Sequence, residues 1–107
     1  LFPYTTLFRS LAIHVSWRRG RVHEELRLWP EVMLVERTEP GGAVRRWAAN
    51  PYWVRVELRD TRQLPQYLTL AGGGRTIELG AFLTADERIA LASDLRAALA
   101  RLNAPRG

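Results

Sequence analysis

The chain has 107 residues, with 16 basic and 11 acidic side chains, a net charge of +5 and an isoelectric point near 10.9. It contains no cysteine, which excludes disulfide frameworks, thiolate metal sites and cysteine nucleophiles. Every basic residue is arginine, which with the abundance of alanine reads as GC-rich codon usage, and acidic residues interrupt the charge everywhere except at Arg18-Arg19-Gly20-Arg21.

Leu1 to Ser10 reads as something other than protein. As codons it can be CTC TTT CCC TAC ACG ACG CTC TTC CGA TCT, which resembles a widely used sequencing-library adapter over the whole segment. Residues 1–10 are therefore expected to be non-native and outside the fold, with the natural chain continuing upstream. Removing Arg9 with them lowers the charge from +5 to +4. What remains suits one small domain that buries its core without metal or disulfide.

Leu11-Ala12-Ile13-His14-Val15-Ser16-Trp17 is a short apolar run ending in tryptophan, followed at once by Arg18, Arg19 and Arg21. It has two readings: the cytoplasmic end of a transmembrane helix, with interfacial aromatic and positive-inside charge, or an amphipathic lead-in to the first strand. The upstream adapter tips the expectation to residues 11–22 as a truncated membrane helix with a juxtamembrane basic segment. No stretch approaches the ~20 apolar residues of a whole span.

Residues 23–104 are expected to form the folded domain. Glu24 to Trp29 alternates charged and apolar, as a strand does, and Trp29-Pro30-Glu31 makes a tight turn because proline fixes φ and cannot donate. Val32 to Arg37 reads as a second, central strand. Glu39-Pro40-Gly41-Gly42 is a turn, and Val44 to Ala48 a third strand. Asn50 to Leu58 is the longest clean strand signal, with Val54, Val56 and Leu58 on one face and Trp53, Arg55 and Glu57 on the other. Asp60 to Pro65 is a polar loop. Tyr67 to Leu70 and Arg75 to Leu79 are two further strands joined by Gly72-Gly73-Gly74, which supplies the positive φ that a hairpin needs. The period then changes. Thr84-Ala85-Asp86-Glu87 is a capping box, and Leu91, Leu95, Leu99 and Leu102 recur at helical spacing until Pro105, with Arg88 and Arg96 elsewhere on the wheel. The fold class is α+β: an antiparallel meander of about six strands with one C-terminal amphipathic helix packed on the sheet, and 105–107 as a tail.

The chemistry-bearing residues are few. His14 and His23 have no cysteine near them, so no metal site is expected. Ser10, Ser16 and Ser93 lie in no nucleophile elbow. Glu24 and Glu25 occupy consecutive strand positions and face apart, while Asp86 and Glu87 are explained by capping. Gly72-Gly73-Gly74-Arg75-Thr76 leads into a strand, where a phosphate-binding loop would lead into a helix. No catalytic residue and no cofactor are expected. Arg45, Trp47, Trp53 and Arg55 stand out as an interaction surface: if the third and fourth strands are hairpin neighbours they share a face, and Arg with Trp is typical both of binding hot spots and of stacked nucleic-acid contacts. A cross-strand cation–π ladder, or tryptophan buried under the helix, is the structural alternative.

With these residues placed, the chain resembles a bacterial family of small integral membrane proteins catalogued as a domain of unknown function. The resemblance rests on Leu34-Val35-Glu36-Arg37, Asn50-Pro51-Tyr52-Trp53-Val54-Arg55-Val56 and Ile77-Glu78-Leu79-Gly80-Ala81-Phe82-Leu83, and covers about Leu11 to Leu102. It implies two amino-terminal membrane helices, of which Leu11–Trp17 would end the second, and a soluble domain facing the cytoplasm from the bacterial inner membrane. It transfers no catalytic residue. The order of strands before one helix is also similar to the pleckstrin-homology-like roll, an analogy that says nothing about ligand. The function expected is a non-catalytic, membrane-tethered interaction module, with the membrane and a protein partner or homo-oligomer as partners. A soluble Arg/Trp-rich nucleic-acid binder is the alternative, and an enzyme ranks last.

Overall fold

Period-two alternation begins earlier than the sequence reading placed it. In the computed structural model, which describes residues 12–104, Ile13–Arg19 is strand β1 rather than the end of a helix. Ile13, Val15 and Trp17 alternate with His14, Ser16 and Arg18, and the first three are half-buried while the second three are exposed. The adapter-like residues 1–10, and Pro105 as helix terminator, lie outside the described residues. Among the described residues no helix is long and apolar enough to cross a membrane.

The chain divides into two compact units, Leu1–Pro51 and Tyr52–Gly107. The division falls inside the stretch read from sequence as one domain. In the first unit β1, β2 (Val22–Leu28), β3 (Met33–Thr38) and β4 (Val44–Ala49) form an antiparallel meander in the order β1-β2-β3-β4. Gly20, at φ +60°, opens the two-residue turn between the paired Arg19 and Val22, where glycine removes the cost of a left-handed backbone. The Trp29 amide donates to the Val32 carbonyl (2.9 Å) around Pro30-Glu31, and the Glu39 amide to the Ala43 carbonyl (2.8 Å) around Pro40-Gly41. These turns fix a register in which Val15, Leu26, Val35 and Trp47 stand in one cross-strand row, and Ile13, Leu28, Met33 and Ala49 in the next. Leu26, Leu28 and Met33 are fully buried. Each such side chain contributes roughly 1.5–3 kcal/mol, and a one-residue slip would turn the whole set outward.

A 3-10 turn, Pro51–Trp53, leads from the first unit into the second, which continues with β5 (Arg55–Arg59), β6 (Tyr67–Gly72), β7 (Arg75–Glu78) and helix α1 (Ala85–Asn103). The strand expected from Asn50 to Leu58 therefore begins five residues late, because Pro51 starts a helical turn instead of an extended segment. The sheet order is β5-β6-β7, antiparallel. Gly73 and Gly74, at φ +60° and +79°, form the two-residue turn between the paired Gly72 and Arg75, as the glycine run predicts. Val56, Leu70 and Ile77 make one cross-strand row, and Leu58 and Leu68 the next.

The helix begins as its sequence requires. The Glu87 amide donates to Thr84 Oγ1 (3.1 Å) and the Thr84 amide to Glu87 Oε1 (2.8 Å), closing the capping box. Hydrogen bonding of the Glu87 carboxylate by the Thr84 backbone amide, and then by the Thr84 side chain, holds it below the usual glutamate range. The helix packs on β5 and β6, burying Leu91, Ala92, Leu95, Ala98 and Leu99. The fold is α+β, two antiparallel sheets of four and three strands with one C-terminal helix.

Candidate functional site

The residues of the expected interaction surface are divided between the two units, Arg45 and Trp47 in the first and Trp53 and Arg55 in the second. β4 and β5 belong to different sheets and do not pair, so the hairpin that would have aligned Arg45 and Trp47 with Trp53 and Arg55 does not exist. Trp47 is 3% exposed, in the core row of the first unit, and cannot meet a partner. Arg45 is exposed on β4 opposite Arg37. Arg18, Arg19 and Arg21 are exposed at the β1–β2 turn.

The charged side chains of the first unit are largely committed to one another. On the face carrying His14, an alternating ladder crosses all four strands. His14 Nε2 lies 2.7 Å from Glu25, Arg27 lies 2.8 Å from Glu25 and 3.6 Å from Glu36, and Arg46 Nε lies 2.5 Å from Glu36. Arg27, Glu25 and Glu36 at the middle of the ladder are half-buried, and His14 and Arg46 at its ends are exposed, so the end pairs contribute little stability each. On the opposite face Glu24 is 1% exposed. Its Oε1 accepts from Trp17 Nε1 (2.8 Å) and its Oε2 from Arg37 Nη1 (3.4 Å), while Arg37 Nε donates to Glu39 (2.7 Å). Glu24 thus organises the polar end of a core. Among the described residues no three His, Cys, Asp or Glu side chains come together as a metal ion would need.

The second unit holds a buried cation on the apolar face of α1, three and seven positions before Leu91 and Leu95, where the expectation had set it elsewhere on the wheel. Arg88 is 2% exposed. Its Nε donates to the Gln66 carbonyl (2.9 Å), its Nη2 to that of Pro65 (2.6 Å), and its Nη1 to those of Leu83, Gly80 and Ala81. One guanidinium thereby ties the loop before β6 to the loop before α1. Gln66, at φ +53°, is held in turn by Asp60 Oδ1, which accepts from its amide (2.9 Å) and its side chain (3.1 Å). This cluster is closed and structural.

The open feature lies at the other end of the same sheet. Tyr52 and Trp53, on the 3-10 turn, are 63% and 69% exposed and meet edge to face, with ring centroids 4.7 Å apart and planes at 89°. Of the large hydrophobic side chains exposed among the described residues, they alone are stacked together; Val44 and Ile89 stand singly on their elements. With Val54, Arg55 and the β6–β7 hairpin they line a shallow pocket of about 430 Å³, whose far wall is Ala71, Gly72, Gly74, Arg75 and Thr76. Arg55, Ala71 and Thr76 form the cross-strand row beneath it. The glycines keep that wall low. Among the described residues no carboxylate pairs with Arg55, because Glu57, the next acidic residue on its strand, lies against Arg59 (3.5 Å). No carboxylate and no imidazole line the pocket.

Two of the expected surface residues, Trp53 and Arg55, are therefore at the site with Tyr52, and Arg75, which the sequence reading joined to no binding surface, completes it. The strand reading set Tyr52 and Trp53 on opposite faces, and they meet because Pro51–Trp53 is a 3-10 turn. Arg75 followed the glycine run, whose correct reading as a hairpin obscured its place in a pocket. Chemically, two aromatic edges beside two guanidinium groups can hold an anion or a flat apolar group.

No curated protein matches the chain. A family model described as "Integral membrane protein (DUF2244)" matches residues 5–99, from within the adapter-like segment almost to the end of α1. On that match over most of its length, the chain belongs to the integral membrane protein family DUF2244.

Proposed function

We propose that this chain is a non-catalytic binding module of a bacterial inner-membrane protein, facing the cytoplasm, and that it engages its partner through Tyr52, Trp53, Arg55 and Arg75. The observation that carries the reading is the exposed Tyr52–Trp53 pair at an arginine-lined pocket. Large aromatic residues are left in water at some cost, and a rimmed aromatic patch marks a contact surface. A lining without carboxylate or imidazole supports binding over catalysis. The family supports a location at the membrane.

The test is site-specific photo-crosslinking in the full-length protein within its own membranes. A crosslinker at position 53 should give adducts, with lipid, protein or a second copy, well above those from position 62, which is also exposed. Equal yields from the two positions would end this reading.

A further inference from the structure

We infer that the Tyr52–Trp53–Arg55–Arg75 pocket is a site for the phosphate-bearing headgroup of an anionic phospholipid, with the Tyr52–Trp53 pair resting in the membrane interface. The inference rests on the binding-module reading and names its partner. Three observations combine.

The first is the pairing of residue types. Tyrosine and tryptophan are the side chains that settle at the headgroup level, because each has an apolar body and a polar tip. Here both stand on one turn, held edge to face and mostly in solvent. The second is charge. Arg55 and Arg75 line the pocket at the base of that pair, with no carboxylate among the lining residues, and a guanidinium fork matches phosphate oxygens in pairs. The Gly72–Gly74 wall leaves the hairpin backbone without side chains to block a headgroup. The third is location. The family is one of integral membrane proteins, so a bilayer is the nearest large anionic surface, and a tethered module meets it at high effective concentration. A protein partner would suit the aromatic pair equally, but would not by itself explain two arginines lining a pocket small enough for one headgroup.

The test uses the full chain with vesicles of phosphatidylcholine carrying about 30% phosphatidylglycerol, a composition that supplies the negative surface potential, against vesicles of phosphatidylcholine alone. The chain should bind the anionic vesicles and lose that binding at high salt, as screening shortens the reach of the field. Arg55→Gln and Arg75→Gln should each weaken binding about fivefold, the amount expected per arginine near an anionic surface. Trp53→Ala should weaken it severalfold, with urea midpoints unchanged to show that the fold is intact. Arg62→Gln, an exposed arginine outside the pocket, should have little effect.

Equal losses from Arg62→Gln and Arg55→Gln would overturn the inference by reducing it to general charge. Inorganic phosphate or glycerol phosphate bound as tightly as the vesicles would assign the pocket to a free anion and overturn it likewise. Displacement of the vesicles by oligothymidylate, dependent on Trp53, would turn the site over to nucleic acid. Adducts from position 53 to protein alone, with no vesicle binding, would remove the lipid and leave the binding module standing. Absence of any adduct removes both.

Discussion

Replacing Arg88 by methionine keeps an unbranched apolar stem and removes the guanidinium. Of its five carbonyl acceptors, those of Pro65, Gln66 and Leu83 are held at short range and those of Gly80 and Ala81 near 3.5 Å. Hydrogen bonds from a charged donor contribute about 1.5 kcal/mol or more each. Against this stands the desolvation that the buried cation no longer suffers in the variant, and the part-buried carbonyls can recover some hydration. The balance is a loss of about 3 kcal/mol, toward the lower end of what breaking a buried charged network costs. Arg88→Lys retains charge but offers no planar fork, so it should lose about 2 kcal/mol. Urea denaturation followed by far-UV circular dichroism reads both variants, and for a domain of this size about 3 kcal/mol corresponds to roughly 15 °C in Tm. Because Arg88 joins two loops rather than filling a core, the dependence on urea should keep its slope while the midpoint falls. An Arg88→Met protein within about 0.5 kcal/mol of the parent, the range of ordinary surface changes, would refute the account of Arg88 as the tie between these loops.

Glu24→Leu should destabilise the first unit by about 2–3 kcal/mol, since the Trp17 Nε1 donor loses its acceptor inside a core, and Glu24→Gln should cost less because its amide oxygen can still accept; equilibrium unfolding of the two variants ranks them. The Glu87 cap predicts a pH dependence of definite sign. Its folded pKa lies below the unfolded value, so its stabilisation is fully present above about pH 4.3, the ordinary glutamate value, and is lost as pH falls through the lower folded value. Glu87→Gln should abolish that component of the acid titration of stability, and identical acid profiles for parent and variant would exclude it. Trp53→Ala should leave stability within about 0.5 kcal/mol, because the ring is 69% exposed; a large loss would mean that the ring holds the fold rather than a ligand.

Local chemistry was legible in the sequence, and non-local pairing was not. The Gly72–Gly74 hairpin, the Pro30 turn and the Thr84–Glu87 capping box each depend on residues within a few positions, and each formed as read. β1 is hard to read from sequence because Ile13, Val15 and Trp17 sit in a short apolar run whose intervening His14 and Ser16 are exposed strand positions. Trp47 and Trp53 are the same residue type, close in sequence and both beside arginine. One is buried and the other open, because β4 and β5 enter different sheets. No periodicity distinguishes them. Arg88, expected elsewhere on the wheel, stands on the leucine stripe of α1, three and seven positions before Leu91 and Leu95, and the carbonyls that receive its guanidinium come from loops up to 23 positions away. The pocket was half visible, in Trp53 and Arg55. Its other half depended on the β5–β6–β7 register, which places Arg55 and Thr76 in one row.

The most direct test of the central claim, that this module meets a membrane through Trp53, is depth-sensitive quenching. The chain is added to anionic vesicles whose lipids carry bromine near the headgroup, and tryptophan emission is compared between the parent and Trp53→Phe. The account predicts that the brominated lipid quenches part of the parent emission and that this quenched part disappears in Trp53→Phe, because Trp29 and Trp47 are buried and Trp17 is engaged with Glu24. Quenching that persists undiminished in Trp53→Phe, or no quenching in the parent, would contradict it.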